Sequence, residues 1–274
     1  MSGNRGSAGT RMRLVVLCLG IALVAASGCA TRRDPVDPWV GTNRAVYDFN
    51  DSLDRAVGKP VSTAYTKNVP ESVRTGIYNF FDNIAYLNVI LNDHLQGNFA
   101  QGWRNTERMA VNSTVGILGV RDVATEWGRP RRGNDFGTTL GKWGFKRGPY
   151  VMLPILGPST CRDLPGLVVS RVTNPMFWIE TPLALSLPMD ATSAVDERAR
   201  LQPQLDLRDR AAIDPYAFVR DAYIQLREAK VSGTAAAAPG LAGQDIYNEV
   251  PPTTSPAPNI HGEVPPATQP TGSP

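Results

Sequence analysis

The sequence predicts an all-α domain with irregular Gly/Pro-rich connections, carried between an export segment and a low-complexity tail. Three observations point there. Apolar residues recur at spacings of three and four through the middle of the chain, and helix-start signals stand in front of those runs. Two further apolar stretches are so interrupted by Gly and Pro that neither a long helix nor a central strand accommodates them. At 274 residues there is room for one large domain or two small ones. A net charge of +3, without zinc-finger spacing or a long basic run, gives no case for nucleic acid as a partner.

The first thirteen residues, MSGNRGSAGTRMR, carry Arg5, Arg11 and Arg13 and no acid, and LVVLCLGIALVAA follows. That apolar run is too short for a stable transmembrane anchor and suits a secretory signal. Ala26, Ser27 and Gly28 lead directly into Cys29, the pattern of small residues before an acylated cysteine. Residues 1–28 therefore read as a lipoprotein signal peptide, Cys29 as the lipid anchor, and 29–36 as a lipid-anchored linker. Cys18 is removed with the signal and Cys29 is acylated, so Cys161 has no partner for an intramolecular disulfide. Acyl chains contribute about 0.8 kcal/mol per buried CH₂, which makes a triacylated cysteine a durable anchor. Ala30, rather than an aspartate, follows Cys29, and this points to the periplasmic face of the outer membrane. At the other end, 232–274 is mostly Ala, Pro, Thr, Gly and Ser and reads as a disordered tail.

Between these ends lies the helical domain, 37–231. Over 41–57, Val46, Phe49, Leu53 and Val57 form one apolar stripe. Pro70 suits a first helical turn, followed by Val73, Ile77, Phe80 and Ile84; 87–95 is a second apolar segment that stops near Gly97. Asn98 is placed to cap a third helix with Trp103 and Met109. From Asn134 to Thr160, glycines alternate with Phe136, Trp143, Phe145 and Tyr150, which predicts irregular or hairpin-like structure. NPMFWIETPLALSLPM is broken by Pro175, Pro182 and Pro188 into short amphipathic pieces suited to an interface. Asp214 and Pro215 start a last helix with Tyr216, Val219, Tyr223 and Leu226 on one face and Arg220 and Arg227 elsewhere.

Catalytic signatures are sparse. There is no P-loop, G-x-G-x-x-G or G-x-S-x-G, and no Cys/His cluster for zinc. Of two histidines, His261 is in the tail and His94 suits a helix end better than a general base. Asp51, Asp54, Asp82 and Asp93 read as solvated positions on helix faces or ends, and Cys161 as a small buried or half-buried thiol. An enzyme is the minority reading, with no metal and no cofactor.

Several motifs in order carry a resemblance to a known family: DPWVGTNRAVYDFND, NVPESVRTGIYNFFDN, LNDHLQGNF, VNSTVGILGVRDVA, DFGTTLGKWGFKRGPYVMLPILGPSTCRD and DPYAFVRDAY. Together they cover roughly 37–230, and the chain resembles the MlaA (VacJ) phospholipid-binding lipoproteins. Thr42 stands where that family usually has phenylalanine, and Leu87 where a proline is common. The resemblance implies an all-helical ring of amphipathic helices embedded in one leaflet, the inner leaflet of the outer membrane, around an amphipathic channel. It implies removal of mislocalised phospholipid from the outer leaflet and its passage to a soluble periplasmic carrier of the MlaC type, which maintains lipid asymmetry. A trimeric outer-membrane porin is the implied partner, and phospholipid is the transported ligand. Non-helical backbone at membrane depth must be buried or line a cavity. On that ground Phe136, Trp143, Tyr150, Val151, Leu153, Ile155 and Leu156 are candidates for the lipid path. Arg131, Arg132, Lys142, Lys146 and Arg147, with Arg129 nearby, are candidates for headgroup contacts, as cationic donors to phosphate. Two other classes compete: a structural lipoprotein scaffolding porins or envelope complexes, and a lipid hydrolase built on His94.

Overall fold

The computed structural model describes residues 34–178 and 183–234. The signal peptide, Cys29, His261 and the tail from residue 235 onward lie outside the described residues, as do Ile179, Glu180, Thr181 and Pro182. Helix α1, Val40–Leu53, runs through one π-helical turn, Asp54–Gly58, into α2, Lys59–Asn68. Pro60 supplies the reason for the π turn. Its ring would press on the carbonyl one turn back, and widening the helix there, with Lys59 N–H donating to Asp54 C=O, relieves the crowding. Val69 is extended (φ −103°, ψ 120°), as a residue before proline must be, so the helix ends before Pro70.

Helix α3, Glu71–Leu95, is continuous for 25 residues and passes straight through Leu87, so the two apolar segments are one helix. Gly97 takes φ +74° after it, and the Asn98 side chain accepts from Gln101 N–H to start α4, Phe99–Thr114. A short α5 (Val123–Glu126) and α6 (Phe136–Lys142) are capped by Asp122 and Asp135. An antiparallel hairpin follows, β1 Tyr150–Leu153 and β2 Gly157–Thr160, with Tyr150 opposite Thr160 and Leu153 opposite Gly157. The remaining helices are α7 (Leu164–Thr173), α8 (Pro175–Trp178), α9 (Leu183–Arg200), α10 (Gln202–Ala211) and α11 (Pro215–Ser232). Asp214 caps α11 and Gly233, at φ +77°, ends it. Of the segment 134–160, predicted as irregular or hairpin-like, 150–160 forms a hairpin with a paired ladder, whereas 136–142 is the helix α6, started by its Asp135 cap.

Burial is inverted relative to a water-soluble core. Among the described residues, buried polar and charged side chains outnumber buried apolar ones, while Phe49, Leu53, Val57, Leu91, Trp103, Ile117 and Leu118 are exposed. On α4 the buried stripe is Gln101, Asn105, Arg108 and Asn112, at spacings of four and three. Those groups bond one another. Asn105 Nδ2 donates to Asp93 at 2.5 Å, Gln101 Nε2 donates to Asn105 at 3.1 Å, and Arg108 reaches Asp122 at 2.6 Å and Thr125 at 2.8 Å. Asp54 pairs with Arg198, and Asp82 with Arg131 at 3.1 Å. The aspartates predicted as solvated are thus structural: Asp93 is buried, and Asp54 and Asp82 join separate elements. The apolar core is small and largely tyrosine, with Tyr47, Tyr150, Tyr216 and Tyr223 packed edge to face around Met152 and Ile224. No helix among the described residues is long and apolar enough to cross a membrane.

Candidate functional site

Two asparagines on α1 hold the hairpin. Asn43 donates to the Tyr150 carbonyl at 3.1 Å and accepts from Met152 N–H at 2.9 Å. Asn50 does the same one step further, donating to the Leu153 carbonyl at 2.9 Å and accepting from Ile155 N–H at 2.8 Å. Seven helical residues climb about 10.5 Å, and the two backbone sites, centred on Val151 and Pro154, are about 10 Å apart along a strand. The helix therefore offers its amides at the repeat that the open edge of β1 requires. Asn43 also donates to Asp37 at 2.8 Å, and the buried Asp37 accepts from Tyr216 Oη at 2.5 Å. Burial, and then this bond to a carboxylate, push the Tyr216 phenol up.

Beyond β2, the hairpin is fastened by charge. Arg227 of α11 donates to Asp135 at 2.5 and 2.7 Å and to Asp163 at 3.0 Å, and Tyr223 Oη donates to Asp163 at 3.0 Å. Burial alone would raise both carboxyls. The hydrogen bonds and charge of Arg227 override it and hold both below the ordinary aspartate range. Gly137 makes this approach possible, since a Cβ there would stand 2.5 Å from Asp163 Oδ1 and 2.6 Å from Arg227.

These elements enclose a cavity of about 400 Å³. Its walls come from α3, the segment 133–135, the hairpin, α7, α9 and α11. Val89, Leu156, Pro158 and Leu167 make it apolar in part; Asp82, Glu197, Arg227 and Lys230 make it polar in part. The volume falls within the roughly 300–1,000 Å³ typical of small-molecule sites. Glu197 is held above the usual carboxylate range, first by burial and then by the charge of Asp196. A second, apolar groove of about 620 Å³ lies between α3 and α9, with Val73, Ile77, Phe80, Phe81, Val120 and Met189 along it.

The sequence-predicted residues divide sharply. Tyr150, Val151 and Leu153 are buried inside the protein, at 0%, 6% and 5% exposure. Leu156 lines the cavity, and it and Ile155 are exposed at 61% and 76%. Phe136 is half-buried with its ring edge-on to Trp143, whose indole N–H donates to the Leu95 carbonyl at 3.1 Å. The basic residues are mostly engaged. Arg131 pairs with Asp82 and lies 4.4 Å over the Tyr78 ring, Lys142 donates to Gln96 at 2.7 Å, and Arg147 reaches Glu228 at 3.0 Å. Arg129 pairs with Glu107, and Arg132 offers its backbone to Tyr86 Oη, while its side chain, like that of Lys146, is exposed. Cys161 is exposed rather than buried. His94 lies against Phe99, with Nδ1 2.7 Å from the Ile90 carbonyl, as a helix-end residue. Among the described residues no group of three His, Cys, Asp or Glu is placed to hold a metal ion.

Sequence reasoning missed Asn43, Asn50, Asp135, Asp163, Glu197 and the role of Arg227. One signal was available: two asparagines seven apart on a helix are weak helix formers sharing a face, which needs a reason outside the helix.

A family model described as MlaA lipoprotein matches residues 35–230. Two relatives, from Shigella flexneri and Escherichia coli (strain K12), are each described as "Intermembrane phospholipid transport system lipoprotein MlaA". Both are 34% identical over 234 residues, spanning 81% of this chain and 90% of theirs. A relative of the same description from Haemophilus influenzae is 29% identical over 226 residues, 79% of this chain and 90% of its own. A solved chain described under "Structural basis for maintenance of bacterial outer membrane lipid asymmetry" superposes with a TM-score of 0.63 at 32% identity. That match covers 71% of this chain and 98% of the solved one.

Proposed function

Because this chain belongs to the MlaA lipoprotein family, we propose that it carries phospholipid at the outer membrane as one component of an intermembrane transport system that maintains lipid asymmetry. It takes phospholipid that has strayed into the outer leaflet and passes it to a soluble periplasmic carrier of the MlaC type. Cys29 is the acylated anchor, the helical domain sits in the inner leaflet, and a trimeric porin is its neighbour. No bond is made or broken in this work, so the protein is a transporter rather than an enzyme.

The observation that carries this reading is the amphipathic cavity inside an inverted domain. Apolar side chains on the outer faces suit acyl surroundings, while interior polar groups such as Asp93, Asn105, Arg108, Asp163 and Arg227 pair with one another or with neighbouring polar groups. Inside, Leu156, Leu167 and Val89 offer an apolar wall for chains, and Glu197, Arg227 and Lys230 a polar one for a headgroup. Mass spectrometry of the purified acylated protein tests the proposal. Phospholipid at close to one equivalent, lost in Leu156→Asp, is the expected result. A folded protein that purifies with its porin and without stoichiometric lipid would make it a scaffold instead.

A further inference from the structure

The tip of the hairpin is held in a conformation that its own sequence disfavours. Ile155 has φ +66°, and Leu156 N–H donates to the Pro154 carbonyl at 2.8 Å, so Ile155 is the central residue of a left-handed γ-turn. A β-branched residue rarely occupies that region, because its side chain crowds the backbone. Nothing buries the residue to compensate, since Ile155 is among the most exposed apolar side chains described. The support comes from Asn50, whose single amide grips the backbone on both sides of Pro154, through the Leu153 carbonyl and Ile155 N–H. With Ile155 so held, the chain turns within three residues and Leu156 is delivered to the cavity wall.

We infer that Asn50 is a positioning residue for the cavity's apolar lip: it holds Ile155 in the left-handed turn that sets Leu156 at the mouth of the cavity. The role in transport rests on the function proposed above. Without the amide, Ile155 relaxes to φ < 0, the peptide between Ile155 and Leu156 turns over, and Leu156 is re-aimed. The rest of the hairpin keeps its β1–β2 ladder and the Asn43 contacts, so the change is confined to the tip.

A double-mutant cycle tests this. Full-length acylated wild type, Asn50→Ala, Ile155→Gly and the double variant are placed in vesicles of phosphatidylethanolamine and phosphatidylglycerol, and movement of fluorescent phosphatidylethanolamine to albumin is timed. Hydrogen exchange of the Ile155 amide is followed in the same samples. Asn50→Ala is expected to slow transfer about tenfold and to speed exchange of the Ile155 amide by about as much, at unchanged helicity. In the Ile155→Gly background, where positive φ carries no steric cost, Asn50→Ala should change transfer by less than about twofold. The same loss in both backgrounds, or none in either, overturns the inference. If Asn50→Ala lowers folded protein, Asn50→Asp keeps the acceptor for Ile155 N–H while losing the donor to Leu153; it must give a partial loss that Ile155→Gly again relieves. A wild type that moves no lipid counts against the transport reading, and the exchange cycle still decides whether Asn50 holds the tip.

Discussion

Strand β1 and the tip that follows it are neighbours in sequence and opposites in environment. Val151, Met152 and Leu153 are buried, and two residues later Ile155 is exposed and Leu156, exposed as well, stands at the cavity mouth. Composition does not distinguish them, since VML and IL are equally apolar. The difference lies in what covers each: the strand is roofed by α1 and the tyrosine cluster, whereas Pro154 and the γ-turn carry the tip past the end of α1's asparagine pair. An apolar run in this fold therefore has two uses, core and lip, separated by a single turn.

The contrast is broken most strongly by placing the same charge on each side. Leu153→Asp buries an unpaired carboxylate at a cost of several kcal/mol, and no folded protein is expected in the membrane fraction. Slightly less severe is Arg227→Ala, which leaves Asp135 without its guanidinium and Asp163 with Arg162 alone. A loss of about 3–5 kcal/mol, read from the denaturant midpoint, is expected. Wild type should show the same cluster in its pH dependence. Both carboxyls are held below the unfolded value of about 3.9, so their contribution is complete above that pH and drains away as pH falls through the folded values. Thermal midpoints that stay flat between pH 5 and pH 2 would count against the clamp. At the small end, Ile155→Asp should move stability by no more than about 0.5 kcal/mol while reducing lipid occupancy. Equal destabilisation by Leu153→Asp and Ile155→Asp would show that strand and tip belong to one core.

Glu197 has the opposite sign to the aspartates. Its carboxyl is held above the unfolded value, so ionising it opposes folding as pH rises from about 4.3. Glu197→Gln is therefore expected to stabilise the protein at neutral pH and to leave it unchanged at acid pH, where the carboxyl is protonated in both states. Calorimetry at the two pH values checks this.

Much of the architecture was legible in the residues themselves. Asn98, Asp214 with Pro215, and Gly97 mark helix ends through local hydrogen bonding and allowed φ, which depend on no distant contact. The Gly/Pro spacing of 134–160 marked the hairpin at 150–160 for the same local reasons, but it hid α6, which the Asp135 cap starts despite Gly137 and Gly141. The motif order that resembles the MlaA family was likewise readable from sequence. What the tertiary structure alone decided is which way each face points and which charges meet. Periodicity through α1 and the π turn separates Val46, Phe49, Leu53 and Val57 from Asn43, Tyr47, Asn50 and Asp54, but a stripe looks the same whether its surroundings are protein or lipid. Only the packing turns the asparagine side inward. Asp135, Asp163 and Arg227 are 28 and 64 residues apart along the chain, and no local rule pairs them; closing α11 against α6 and the end of β2 does.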